Sequence, residues 1–154
     1  MLTAEQVLDA VSQATGVPET FKGYPKGTKA IELAEGGIEH PFLQAFAKPV
    51  RDVTCECARE EDPSLPQMLH LLNNAGLLEK LKSPQGRLAA WLRDEKDDRR
   101  VIENVYLATL SRRPTAREVE IALKHVATLK GDRATAMQDL QFALINSGEF
   151  LLRH

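Results

Sequence analysis

Two cysteines, the only two in the chain, stand one residue apart in the stretch "VTCECAREED", Val53 to Asp62. If Val53 to Cys57 is extended, side chains alternate between faces, so Cys55 and Cys57 point the same way and Glu56 points opposite. Two thiols on one face can stay inert, oxidise to a disulfide, or bind a soft metal. A bond between positions i and i+2 of a strand puts its Cα atoms near the upper limit of disulfide geometry, so it would be strained and readily reduced. Zinc favours two to four residues between local ligands and four ligands in all. Here one residue intervenes, and His40 and His70 are weak candidates to complete a set with Cys55 and Cys57. The positive charge of Arg59 would lower a thiol pKa, and Glu56 or Glu60 would oppose it. All three readings stay open.

The adjoining "REED" run, Arg59 to Asp62, gathers carboxylates that can hold calcium or exchange protons. It lacks the glycine-bearing calcium loop pattern, and it equally suits a solvated turn placing negative charge before a helix that starts after Ser64. Elsewhere the chemistry-bearing motifs are missing. No HExxH, P-loop, GxGxxG or nucleophile elbow occurs, and the absence of CxxCH means that no covalently attached c-type haem belongs to this chain. His125 and the terminal His154 read as ordinary core or surface histidines. "DEKDDRR" (94–100) and "SRRPT" (111–115) read as capped, solubilising helix junctions. Trp91 and Tyr106 fall at helix positions where core packing is expected, which leaves little support for a carbohydrate site.

The elements that position these residues divide into three stretches. Thr3 with Gln6 fits a capping box, and Val7, Leu8, Val11 and Ala14 recur at helical spacing before Gly16, predicting a first helix within 1–16. Residues 17–63 form a long irregular loop rich in proline and glycine that carries the cysteines. Within it "KAIEL" (29–33) reads as a short strand, and Pro41 can open one helical turn with Phe42, Leu43 and Phe46 inward.

Residues 64–154 read as a helical bundle. Ser64 caps "LPQMLHLLNNAG", whose broad apolar stripe suits a core helix. "GLLEKLK" follows, then Ser83 with Pro84 to open "QGRLAAWLRDE". Asp97 caps the helix bearing Val101, Ile102, Val105, Tyr106 and Leu110. Thr115 with Glu118 starts the next, Asp132 the one after, and "GEFLLRH" adds a last turn. The expected fold is therefore mainly all-α: a compact bundle of about six or seven helices, with the long loop and room for one short β-hairpin or strand pair.

At 154 residues the chain is one domain or the C-terminal portion of a larger one, and can close a core without disulfides. Hydrophobic content of 43% and charged content of 27% are those of a globular protein. No apolar run is long enough to span a bilayer, so membrane insertion by this chain is not expected. Twenty Lys and Arg against 22 Asp and Glu give a net charge of −2 and no footprint for a phosphate backbone, which disfavours nucleic acid. The first residues show no basic region followed by an apolar stretch and cleavage site, so no signal peptide is read in this chain.

The order "LTAEQVLDAVSQATG", a proline-rich stretch, "CECAR" followed by "SLPQMLHLLN", "VYLATLSRRPTAREVE" and the closing "FALINSGEFLLRH" resembles a planctomycete-specific C-terminal domain of unknown function. Members of that family end large exported proteins that also carry a cytochrome c-like domain. Cys55, Glu56, Cys57 and Arg59 match its pattern, whereas Ala58 stands where the family often has Glu, which weakens any role for a carboxylate there. The resemblance implies a periplasmic or cell-envelope protein whose haem belongs to another domain. It also implies an oxidising compartment, which favours a Cys55–Cys57 disulfide or thiols protected by burial. The expected function is a non-enzymatic interaction or scaffold domain that docks to other domains of its parent protein or to an exported partner. The alternative is a redox or metal site on the cysteine pair.

Overall fold

Thr3 stands in extended conformation with its hydroxyl accepting from the backbone N–H of Gln6 at 3.3 Å, while the Gln6 amide oxygen accepts from Thr3 N at 3.0 Å. This reciprocal box starts α1, Ala4–Thr15, and Gly16 at φ 72° stops it. The computed structural model describes residues 3–33, His40, Leu43 and 75–151 of the chain. Along α1 the residues Val7, Leu8, Val11 and Ala14 are buried, as their spacing requires.

After Gly16 the chain runs without regular structure to a 3₁₀ turn at Ala30–Glu32. The sequence predicts a short strand here, and the difference has a non-local cause. The Asp9 carboxylate on α1 accepts from Ala30 N at 2.7 Å and from Ile31 N at 3.2 Å, so both N–H groups that a sheet ladder would use are claimed by one side chain. Among the described residues there is no strand. Of the expected helical turn after Pro41 only Leu43 is described; it is helical and packs on the core. The helix expected after Ser64 lies outside the described residues.

Among the described residues six further helices follow: α2 Ala75–Lys82, α3 Arg87–Asp94, α4 Asp98–Leu110, α5 Ala116–Thr128, α6 Arg133–Ile145 and the short α7 Gly148–Leu151. Three starts obey their predicted caps: Asp97 accepts from Arg99 N, Thr115 exchanges bonds with Glu118, and Asp132 accepts from Thr135 N. The start of α3 departs from expectation. Ser83 and Pro84 form a turn, with Gly86 N donating to Ser83 O at 3.0 Å, and Gly86 is the N-cap. A Cβ at Gly86 would lie 3.3 Å from Thr15 O and 3.2 Å from Ser83 O, so this corner depends on a close backbone approach to the end of α1.

Among the described residues two apolar clusters form the core. One gathers α1, Phe21, Ala30, Leu77 and Leu81 of α2, Ile145, Phe150 and Leu151. The other gathers Leu88, Val101, Ile102, Val105, Tyr106, Ala122 and Met137, with Trp91 packed against it. Helix α6 contributes to both and touches α2, α3, α4, α5 and α7. It is apolar on most sides, as a helix enclosed by neighbours should be. The protein is thus a mainly helical, compact bundle organised around α6.

Candidate functional site

Of the residues that the sequence marks out for chemistry, Cys55, Glu56, Cys57, Arg59, Glu60 and His70 lie outside the described residues, and His40 alone is placed. It sits beside a polar cluster that sequence reasoning did not assemble. The end of α1 exposes its last carbonyls, and Gly16 turns the chain back so that Val17 and Glu19 face α2. From α2, Lys80 reaches Val17 O at 2.7 Å, Glu19 Oε2 at 3.1 Å and Ser12 Oγ at 3.4 Å. Glu19 Oε1 lies 3.6 Å from His40 Nε2, and the His40 ring tilts against Phe21 with centroids 5.5 Å apart.

The chemistry of this cluster follows from donor and acceptor counts. The three N–H bonds of a lysine ammonium match the three acceptors here, which leaves no lone pair to take a proton from Ser12. Ser12 and Lys80 therefore form a tie and not a nucleophile with its base. Placing a cation at the C-terminal end of α1 also complements the helix dipole. His40 differs: its side chain is only 17% exposed, and its buried Nδ1 has no hydrogen-bond partner among the described residues. No group of three or more His, Cys, Asp or Glu side chains among the described residues could hold a metal ion.

A second cluster forms at the α4–α5 corner, where "SRRPT" reads as a capped junction. Its capping box is present, and Arg112 adds to it. The guanidinium donates to both oxygens of Glu118, at 3.0 and 2.8 Å, and to both oxygens of Glu149, at 2.5 and 2.8 Å. It also lies 5.4 Å from the centroid of the Tyr106 ring. The Arg112 hydrogen bonds, helped by the cap bonds from Thr115, hold the Glu118 carboxyl at about 2, below its ordinary 4.5. The two carboxylates in turn raise the Arg112 pKa. Burial, then the charge of Glu118, pushes the Tyr106 hydroxyl up. The capping box was a local signal for Glu118, but nothing in the sequence announces Glu149, 37 residues away.

Two further features lie on the surface. His125 Nε2 pairs with Asp139 at 3.0 Å, tying α5 to α6. Along α5 runs an open trough of about 460 Å³, lined by Arg99, Ala116, Glu120, Leu123, Lys124 and Ala127.

Fold and clusters together define a small helical domain in which Lys80 and Arg112 each tie a helix end to its neighbours. Within that class, the chain belongs to the family described as a protein of unknown function, DUF1553 (PSD1), which matches residues 1–126. No curated protein and no solved structure matches it. The family match ends before α6, the helix that the rest of the described core surrounds.

Proposed function

We propose that this domain is an interaction module of a bacterial exported multidomain protein, docking to other domains of that protein or to an exported partner and performing no reaction by itself. The observation that carries this reading is the presentation of Ile31. The residue is 58% exposed, yet its backbone is fixed: Asp9 holds the N–H groups of Ala30 and Ile31, and Glu32 holds that of Lys29 at 3.0 Å. Ordering a segment costs conformational entropy, and here that cost leaves an apolar β-branched side chain in water. Covering it on docking would return roughly 1 kcal/mol or more, with little further entropy lost. The 3₁₀ turn also lies in the proline- and glycine-rich stretch that follows α1. No described helix is long and apolar enough to cross a membrane, which fits a partner that is not a bilayer core.

On this reading the parent protein resides in the periplasm or cell envelope, and any haem belongs to its cytochrome-like part. Amide exchange of the free chain and of the parent protein, compared at low concentration, tests it. Added protection across residues 29–33 in the parent supports docking, and identical exchange in the two overturns it.

A second reading is a redox or metal site on Cys55 and Cys57, and its metal form is favoured by the unpartnered, buried Nδ1 of His40. A nitrogen in that state is available to a ligand, and His40 is among the residues that a thiolate site would need to recruit.

A further inference from the structure

If Ile31 docks, its surroundings restrict what can receive it. The carboxylate of Glu32 follows it directly, with one oxygen, Oε2, holding Lys29 N and the other without a partner among the described residues. The 3₁₀ turn therefore presents an apolar side chain and a carboxylate one residue apart, on a backbone already fixed by Asp9. Its complement is an apolar hollow with a guanidinium at its edge.

The trough on α5 has that form. Ala116, Glu120, Leu123 and Ala127 recur on one face of the helix over about 16 Å, with the small alanines toward its two ends. Glu120 and Lys124 neutralise each other across 2.8 Å on that face. Arg99 is different. The acidic groups around it are engaged: Asp98 with Arg133, Asp97 with the Arg99 backbone at 3.0 Å, and Glu95 with Arg100 at 3.5 Å. The Arg99 guanidinium has no carboxylate partner among the described residues, and it lines the trough.

We propose that the trough of one copy of this chain receives Ile31 and Glu32 of a second copy, with Ile31 against Leu123 and the flanking alanines and Glu32 paired to Arg99. The inference rests on Ile31 being a docking contact and names the partner as the chain itself. Donor and acceptor surfaces differ, so the contact is heterologous and joins copies head to tail. One side chain in one trough buries far less than the ~1,200 Å² of a stable specific interface, so the association is weak and concentration-dependent. Its polar half is an ion pair at a rim and weakens with salt.

Analytical ultracentrifugation of the 154-residue chain from about 10 µM to 1 mM, with thermal melts confirming that each variant is folded, tests the proposal. The average mass should rise above 17.1 kDa with concentration. Arg99→Glu and Glu32→Arg should each weaken association at least tenfold, and mixing the two variants should restore it, because each then meets the opposite charge. Glu32→Gln keeps an acceptor for Lys29 N and should also weaken it. A mass fixed at that of the monomer, or association that Arg99→Glu leaves unchanged, overturns the proposal. A monomeric chain whose residues 29–33 are still protected in the parent protein sinks self-association and leaves docking to another domain standing. Absence of both effects sinks both.

Discussion

The side chain of Gln141 donates from Nε2 to the carbonyl oxygen of Ala14 at 3.1 Å, joining the centre of α6 to the last turn of α1 across 127 residues of sequence. Gln141 is fully buried, and the carbonyl it serves is one of those that α1 cannot satisfy internally. Gln141→Ala should cost about 2–4 kcal/mol, combining a cavity with a carbonyl left without its donor. Gln141→Met, which fills the space but donates nothing, should cost about 1–2 kcal/mol. Urea denaturation of the three proteins checks the order. Equal losses for the two variants would mean that the donated hydrogen bond alone matters at this site, and a Met variant as stable as the parent would mean that only volume does.

Arg112 gives the α4–α5 corner a pH dependence with a defined sign. The Glu118 carboxyl titrates near 2 in the folded chain against an ordinary 4.5, so the stability it contributes is complete above 4.5 and is lost as pH falls toward 2. Arg112→Met should lower stability at pH 7 by about 1 kcal/mol, discounted for solvent screening because the side chain is about a third exposed. It should also flatten the fall in stability across that acid range. Parallel acid titrations of the two proteins would coincide if Arg112 were an idle surface charge.

Much of this architecture was legible because helix caps are local. Thr3 with Gln6, Asp97, Thr115 with Glu118, and Asp132 each find their partner within three residues, and each starts a helix where the pattern predicts. What the sequence hid depends on distant groups. Asp9 turns 29–33 from a strand into a 3₁₀ turn from 21 residues away. Gly86 displaces the start of α3 because the end of α1 passes against it. Lys80 meets Val17 from 63 residues away. The candidate site was legible as residue types, two thiols beside charged neighbours, whereas its geometry belongs to residues outside those described.

Among the described residues, two other than glycine adopt the left-handed region, Ser111 at φ 57° and Lys130 at φ 51°. Each follows a helix, where glycine is the unstrained choice. Ser111→Gly and Lys130→Gly should each raise stability by about 0.5–1 kcal/mol, the relieved strain exceeding the entropy that glycine adds to the unfolded chain. The reverse experiment is Gly16→Ala. There φ is 72° and an added Cβ would approach Arg87 Cγ to 2.6 Å, so the melting temperature should fall, although the flexible Arg87 side chain can move aside. A fall for Ser111→Gly would mean that its side chain makes a contribution larger than the backbone strain.

The cysteine pair yields to a mass measurement. If Cys55 and Cys57 are chemically active in an oxidising compartment, the intact chain recovered from one should be lighter by about 2 Da, one hydrogen from each thiol, and reductant should restore the difference. A bound soft metal would instead add mass that denaturation removes, and cobalt(II) added to the reduced chain would develop visible absorption from thiolate coordination. Cys55→Ser with Cys57→Ser should abolish either signal. His40→Ala should weaken only the metal signal, because the histidine ring can contribute a ligand and takes no part in a disulfide. The plain reduced mass with no cobalt spectrum would remove the redox and metal readings together and leave the pair as two packed thiols.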